Sequence, residues 1–208
     1  MIAAGSSDSQ VVTSSRVSDD GSRIVLRQRD RMRLRRMVAL RMDPRLRGRV
    51  DPSDVIQDAW IEASRRLAND SIDRSVSVFV WMRFLTMQQL LTLHRRHLST
   101  QQRDAGREVS LQKSGVDSAG LAMQLLGTLT RPSEAAIREE LRSRVWESLE
   151  AMSVTDREVL VLRHFEGLTG TEVAEALGIS HEAVKKRHVR ALQRLRDALS
   201  DLHGGDAE

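Results

Sequence analysis

The sequence predicts an all-α protein made of two helical bundle domains joined by a flexible linker, the second bundle containing a helix-turn-helix. Aromatic residues make up only 3% of the 208 residues, and there are three prolines. No stretch alternates between apolar and polar residues over the length of a strand, so we expect little or no sheet. A chain of this length has room for one or two domains, each with its own core.

The chain begins with a polar segment and then a first helix. Residues 1–22 are rich in Ser, Asp and Gly and show no periodicity, which predicts a disordered tail. From Arg27 to Met42, apolar residues follow one another at helical spacing. The pair Asp43-Pro44 ends this helix, because the residue before a proline is disfavoured in the helical conformation.

A second helix begins at Asp51 and Pro52 and runs to about Leu67. Asp is a good cap, and Pro at the first helical position lacks only an N–H that would be unpaired anyway. Six apolar residues form its buried stripe: Val55, Ile56, Ala59, Trp60, Ala63 and Leu67. The remaining surface is acidic. An acidic helix face of this kind is ordinarily explained by contact with water, unless a basic partner protein docks there.

A polar loop, 69–77, leads to a third helix from Val78 to about Leu98. This helix is apolar over much of its circumference, which predicts that it lies in the middle of a bundle. Its basic end, His94 to His97, includes two histidines three residues apart but has no third ligand nearby. We therefore expect a DNA-facing helix end there and predict neither a metal nor another cofactor.

The C-terminal domain is predicted at residues 132–202, after a polar linker at 99–131 with a short helix at Leu121–Leu126 as an option. Pro132 opens a helix to about Ala151. Thr155 and Glu158 stand at capping-box spacing, so another helix is expected there, closed by Gly167.

The last two helices have the pattern of a helix-turn-helix. Thr169 and Glu172 form a capping box, Gly178 suits the left-handed conformation that ends a helix, and Ser180 caps a helix to about Leu199. On that helix His188 falls on the apolar face, where we expect a hydrogen-bonded internal histidine. The polar side chains point away from it: Lys185, Lys186, Arg190 and Gln193, with Arg187 on the flank. A helix-turn-helix lays its second helix in the major groove, although a surface amphipathic hairpin has the same spacing.

The charge is unevenly distributed. The net charge is only +4, but eleven arginines lie between Arg23 and Arg49, and a second basic cluster lies between Lys185 and Arg196. Two such clusters favour a polyanionic partner that is contacted at two places, the alternative being solvated helix faces.

Several classes of protein are excluded or disfavoured. The absence of Cys excludes disulfides, thiolate metal sites and cysteine nucleophiles. No segment is apolar enough for a membrane span or a secretory signal, so we expect a cytoplasmic protein without membrane insertion. The sequence has no phosphate-binding or dinucleotide-binding glycine motif and no triad spacing, so we predict no catalytic residues and no enzyme.

Three segments resemble a known family, the extracytoplasmic-function (ECF) sigma factors of bacterial RNA polymerase, which belong to the sigma-70 superfamily. Residues 51–63 resemble region 2.2, residues 79–98 resemble regions 2.3 and 2.4, and residues 156–192 resemble region 4. Together they cover about residues 27–200 in the order and spacing of the family.

The resemblance implies a promoter-specificity factor that binds core RNA polymerase and starts DNA-templated transcription. It implies a region 2 domain at 23–98, which binds core polymerase and the −10 element, and a region 4 domain at 132–202, which binds the −35 element. Promoter DNA and core RNA polymerase are the implied partners, and an anti-sigma protein is a further one that the resemblance allows. The alternative is a helix-turn-helix repressor or activator acting independently of core polymerase.

The implied site residues form three groups. The core polymerase-binding residues are Asp54, Gln57, Asp58 and Ile61. The −10 DNA-binding residues are Asn69, Ser71, Trp81, Arg95 and Arg96. The −35 DNA-binding residues are Thr171, Ser180, Lys185, Lys186, Arg187, Arg190 and Gln193. Trp81 has a second interpretation, as a core residue of the bundle.

Overall fold

The structure, a computed structural model, describes residues 15–18, 23–69, 75–98, 121–122 and 135–200, and it confirms an all-α fold. In the N-terminal domain the helices are α1 (Gln28–Arg41), α2 (Pro52–Ala68) and α3 (Val78–Leu98), with a 3-10 turn at Pro44–Leu46. In the C-terminal domain they are α4 (Ala135–Glu150), α5 (Val154–Leu160), α6 (Gly170–Leu177) and α7 (His181–Ser200). None of the helices within the described residues combines the length and the apolar character that crossing a bilayer requires.

Part of the predicted tail is structured. Strand β1 (Arg16–Val17) pairs antiparallel with β2 (Ile24–Val25). The Ser15 hydroxyl donates to the Asp30 carboxylate at 2.6 Å and accepts from the Arg27 N–H at 3.2 Å. The prediction of a disordered tail is therefore wrong for residues 15–18, which the start of α1 holds in place. The rest of the tail lies outside the described residues.

The helix boundaries follow their capping residues. The Asp51 carboxylate accepts from the Ser53 N–H at 2.7 Å and caps α2, as predicted. At the start of α5 the prediction is wrong, because Ser153 rather than Thr155 is the cap, and its hydroxyl accepts from the Asp156 N–H at 3.1 Å. Helix α5 therefore begins two residues earlier than the capping-box spacing suggested.

The helix-turn-helix is built from the predicted signals. Thr169 and Glu172 form the complete capping box of α6, and Gly178 ends that helix at a φ of +63°. Helix α5 continues through a π-helical turn, Val161–Phe165, before Gly167 reverses the chain at a φ of +71°. Both glycines adopt the left-handed conformation, which costs other L residues about 1 kcal/mol or more.

The two domains pack against each other and share their core. One cluster joins Leu34, Phe79 and Leu85 of the N-terminal domain to Leu162 and Val173 of the C-terminal domain. A second cluster joins residues of α1, α4, α5 and α7 to two buried residues within the predicted linker. These two linker residues are Leu121 and Ala122, both fully buried and helical.

Candidate functional site

One face of α2 carries all four predicted polymerase-binding residues. Asp54, Gln57, Asp58 and Ile61 are exposed, and their spacing of three, four and seven residues places them along one stripe. Their helix is held by the opposite face, where Val55 and the two alanines of the buried stripe are sequestered. Ile61 is 45% exposed, which gives the acidic stripe an apolar end.

The predicted −10 residues lie at two ends of the N-terminal domain. Asn69 is exposed at the end of α2, where its N–H donates to the Arg65 carbonyl at 3.2 Å. Arg95 and Arg96 are exposed in the last turn of α3, where cations are favoured by the helix dipole. Ser71 lies outside the described residues.

Trp81 does not present its ring to a ligand in this structure. It is 4% exposed and belongs to the core cluster that both domains share, so it cannot stack on a base in this arrangement. The assignment of Trp81 to a DNA-contacting surface is therefore not met, and the core interpretation holds.

Phe84 is an exposed aromatic residue on α3, the helix that its apolar composition predicted to lie in the middle of a bundle. It is 53% exposed, and Gln88 and Arg95 follow it on the same face of α3 at spacings of four and eleven residues. The helix is apolar almost all round, so apolar periodicity alone could not identify its exposed side. Ser77, Gln88 and Arg95 share that side, but polarity alone would not have located it, because Arg83 and Thr86 of the same helix are buried.

The basic side of α7 is open to solvent. Lys185, Lys186, Arg190 and Gln193 are exposed, while the opposite side is buried through Val184, Ala191 and Leu195. The predicted residues at the helix starts, Thr171 and Ser180, are exposed as well. The Ser180 hydroxyl accepts from the Ala183 N–H at 3.1 Å and so caps α7.

Arg187 differs from the other basic residues of α7, because it faces a buried carboxylate. Its guanidinium lies 2.8 Å from the carboxylate of Asp156, which is 2% exposed, whereas Arg190 is 3.7 Å from the same group. This ion pair fixes α7 against α5. Arg187 therefore helps to position the basic helix, and its direct contact with DNA stays a prediction.

His188 has a hydrogen-bond partner, as predicted, but it lies half-buried at the surface and not inside the core. Its Nε2 lies 2.8 Å from the Nε2 of His164, and the two rings are stacked with centroids 5.0 Å apart. Desolvation lowers the pKa of both imidazoles, and the charge of Arg163 lowers both further. A neutral pair sharing one N–H···N hydrogen bond is the form that this geometry favours.

The interface between the domains contains a set of buried ion pairs that the sequence did not predict. Glu166 is 1% exposed and pairs with Arg41 and Arg83, each at 2.7 Å. Arg33 contacts Glu172 at 2.6 Å. Burial would raise the pKa of Glu166, but Arg41 and Arg83 outweigh it and hold that pKa below its ordinary value. Helical periodicity could not reveal these pairs, because residues more than 80 positions apart form them.

No group of three or more His, Cys, Asp or Glu residues within the described ranges is arranged to hold a metal ion.

Comparison with known proteins supports the same family. Residues 148–197 match the family described as sigma-70, region 4. The chain is similar to a probable RNA polymerase sigma factor, RfaY, of Xanthomonas campestris pv. campestris, with 30% identity over 147 residues, 70% of this chain and 33% of that protein. It is also similar to the ECF RNA polymerase sigma factor SigD of Mycobacterium tuberculosis, with 40% identity over 68 residues, 33% of this chain and 32% of that protein.

A third relative covers more of its own length. The ECF RNA polymerase sigma-E factor of Escherichia coli is 25% identical over 155 residues, 73% of this chain and 75% of that protein. By contrast, the chain spans only about a third of the length of the first two relatives. Residues 148–197 thus match the sigma-70 region 4 family, and the chain is similar to sigma factors that include members of the ECF subfamily.

Proposed function

We propose that this protein is a promoter-specificity factor that binds core RNA polymerase and directs it to promoters through −10 and −35 contacts. The observation that carries the proposal is the presence of two separate exposed surfaces on one chain. One is the acidic stripe of α2, formed by Asp54, Gln57, Asp58 and Ile61, and the other is the basic side of α7. A protein that only binds DNA needs the second surface and has no use for the first.

The two surfaces have complementary roles. The acidic stripe suits a basic protein partner, and its apolar end at Ile61 provides the desolvated contact that protein interfaces need. On α7, Lys185, Lys186 and Arg190 suit the phosphates and base edges of a major groove. The factor itself has no covalent chemistry in this proposal, and the polymerase supplies the catalysis.

The −10 contacts are assigned to the N-terminal domain. Binding an unpaired strand requires stacking surface and positive charge together. Phe84 with Arg95 and Arg96 offers that combination on one helix, and Asn69 borders the loop that would hold a captured base. We assign the stacking role to Phe84 in place of Trp81.

The direct test is promoter-selective transcription with purified core RNA polymerase. We expect run-off transcripts from promoters in a fragmented genomic library and co-elution of the protein with core enzyme in gel filtration. A chain that neither co-elutes with core nor yields a selective transcript would contradict the proposal.

A repressor or activator that acts independently of polymerase is the competing function. It predicts tight binding to a palindromic operator without core enzyme, whereas the proposed factor binds promoter DNA weakly when alone. Capture from cells with the tagged chain distinguishes the two further, because core subunits accompany only the proposed factor. The same capture would reveal an anti-sigma partner.

A further inference from the structure

Two histidines of the C-terminal domain meet between two of its elements. His164 lies in the π-helical turn Val161–Phe165 that follows α5, and His188 lies on α7. Their Nε2 atoms are 2.8 Å apart, whereas their ring centroids are 5.0 Å apart. Because the centroids are farther apart than the nitrogens, the two Nε2 edges face each other across one gap. Both rings therefore direct the same kind of nitrogen toward a single point.

The two elements that carry these rings are held in place independently of the rings. The turn is closed by the Leu168 N–H, which donates to the Leu162 carbonyl at 2.8 Å. Helix α7 is fixed by the ion pair between Arg187 and buried Asp156. Turns of the π-helical kind are rare and frequently occur at functional sites. Groups that are already held in position bind a ligand with a smaller loss of conformational entropy.

The chemical state of the two rings suits a metal ligand. His164 is exposed and His188 is half-buried, so an ion in water can reach the gap. Desolvation lowers the pKa of both imidazoles, and the charge of Arg163 lowers both further. The neutral imidazole is the form that binds metal ions. Arg163 also opposes a bound cation, although its guanidinium is engaged with the Leu168 carbonyl at 2.6 Å, so we expect moderate affinity.

The distance between the two nitrogens is close to the one that a tetrahedral metal ion requires. Two Zn–N bonds of about 2.0–2.1 Å at a tetrahedral angle place the nitrogens about 3.4 Å apart. The gap must therefore widen by roughly 0.6 Å from 2.8 Å, which a small rotation of the exposed ring supplies. The ring that donates the hydrogen bond moves its proton from Nε2 to Nδ1, a change of tautomer that releases no proton.

The ligand type selects the class of metal. Imidazole nitrogens suit Zn²⁺, Cu²⁺ and Ni²⁺, whereas Mg²⁺ and Ca²⁺ prefer oxygen ligands. Two histidines are fewer than the four protein ligands of a structural zinc site, so water completes the coordination here. An ion bound in this way bridges the turn after α5 and helix α7, and it therefore holds the two elements together.

We infer that His164 and His188 form a binding site for a late first-row transition-metal ion, such as Zn²⁺, and that the bound ion clamps α7 to the turn after α5. The alternative is a hydrogen-bonded pair with no affinity for metals. The site requires neither polymerase nor DNA, so its presence or absence is independent of promoter-selective transcription.

The test measures Zn²⁺ binding by the full-length chain at about pH 7.5, where both imidazoles are neutral. Isothermal titration calorimetry gives the affinity, and thermal melts with and without ZnCl₂ give the stabilisation. His164→Gln and His188→Gln each remove one ligand and keep a polar side chain. The matched controls are His181→Gln, at the exposed start of α7, and His97→Gln, at the exposed end of α3. Melts in MgCl₂ control for the charge of a divalent cation.

We expect the wild type to bind Zn²⁺ and its melting temperature to rise with ZnCl₂, because an ion that binds only the folded chain stabilises it. His164→Gln and His188→Gln should each lower the affinity at least about tenfold and abolish the rise. His181→Gln and His97→Gln should behave as the wild type, and MgCl₂ should raise no melting temperature. The inference is overturned if the wild type shows no saturable binding up to about 1 mM Zn²⁺, or if the controls lose affinity equally.

Imidazole ¹⁵N spectra of the wild type give a readout that needs no substitution, in case a glutamine variant does not fold. Zn²⁺ should shift the Nε2 resonances of His164 and His188 among the six histidines of the chain, and both rings should then carry their proton on Nδ1. Shifts at only one of the two rings, or mainly at other histidines, would contradict a shared site.

Discussion

Neighbouring basic residues on α7 have different roles, and their surroundings decide which. Arg187 is paired with buried Asp156 at 2.8 Å, Arg190 reaches the same carboxylate only at 3.7 Å and is 55% exposed, and Lys186 is exposed. A guanidinium that is already paired with a buried carboxylate does not also neutralise a phosphate. Replacing one of these residues is therefore expected to reduce either DNA binding or stability, according to what its side chain contacts.

Lys186→Ala and Arg190→Ala should weaken binding to −35 DNA and leave the thermal stability of the protein unchanged. Each lost phosphate contact should lower the slope of log affinity against log salt by about 1. Arg187→Ala should instead lower stability by about 1–3 kcal/mol, because it leaves the buried Asp156 carboxylate with only the longer contact to Arg190 at 3.7 Å. Anisotropy titrations and thermal melts separate the two effects. A DNA-binding defect without a stability change in Arg187→Ala would contradict the assignment.

Phe84 and Trp81 offer a second pair of contrasting residues on α3. Phe84→Ala should reduce capture of unpaired −10 DNA by polymerase holoenzyme about 5- to 150-fold, since stacking of one base contributes about 1–3 kcal/mol. Trp81→Ala should cost about 3–5 kcal/mol of folding stability, because it empties a buried position. Permanganate footprinting on a promoter and chemical denaturation provide the measurements. The stacking role fails if Phe84→Ala leaves the footprint intact.

At the scale of elements, the exposed face of α2 is expected to act as a single binding surface for core polymerase. Asp58→Arg should weaken binding to core polymerase at least about tenfold, because it reverses a charge in the middle of the acidic stripe. DNA binding by α7 should not change, since the substitution lies in the other domain. Glu147→Arg, which makes the same charge reversal on exposed α4, is the matched control. If both variants lose core binding equally, net charge rather than the α2 face is responsible.

The His164–His188 pair makes the packing of α7 sensitive to pH. Both folded pKa values are lowered, so protonation favours the unfolded chain. The stability that the pair contributes is complete above the ordinary histidine pKa of about 6.5 and is lost as the pH falls below it. The melting temperature should drop between about pH 7.5 and 5.5, and His188→Leu should reduce that drop. His97→Gln, at the exposed end of α3, should leave it unchanged.

The same elements show how far the sequence could predict the structure. Capping residues such as Asp51 and Thr169 act locally, so they located the starts of α2 and α6 correctly. The exposure of Phe84 and the burial of Trp81 depend on what packs around α3, and a helix that is apolar nearly all round carries little information on that. Arg187 was placed on the correct helix, but its partner lies 31 residues away and has no periodic relation to it.

At the scale of the whole molecule, the all-α fold was predicted correctly, whereas the sequence made no prediction about the contact between the N-terminal and C-terminal helices. The prediction treated residues 99–131 as a flexible linker between separate domains, whereas Leu121 and Ala122 are buried in a cluster that includes Leu40 of α1. Arginine-rich α1 was expected to be solvated or bound to a polyanion. In the closed chain, Arg33 and Arg41 are instead neutralised by glutamates of the other domain.

Acid should separate the two domains, and the pH at which it does so should be lower than the pH at which the His164–His188 pair loses its contribution to stability. Burial would raise the pKa values of Glu166 and Glu172, but their arginine partners lower both below the ordinary glutamate value. The ion pairs therefore contribute fully above about pH 4.3 and are lost as the pH falls through the lowered values. The radius of gyration should stay constant down to about pH 5 and rise below about pH 4.

Salt at neutral pH should have little effect on that radius, because buried pairs are only weakly screened. Arg83→Gln removes one of the two guanidiniums that lower the pKa of Glu166. The domains of this variant should therefore separate at a higher pH than those of the wild type. Arg95→Gln, at the exposed end of α3, should open at the same pH as the wild type. Small-angle scattering across the pH series measures both. An expansion that begins near pH 6.5 in every variant would assign the closure to histidine and not to the buried glutamates.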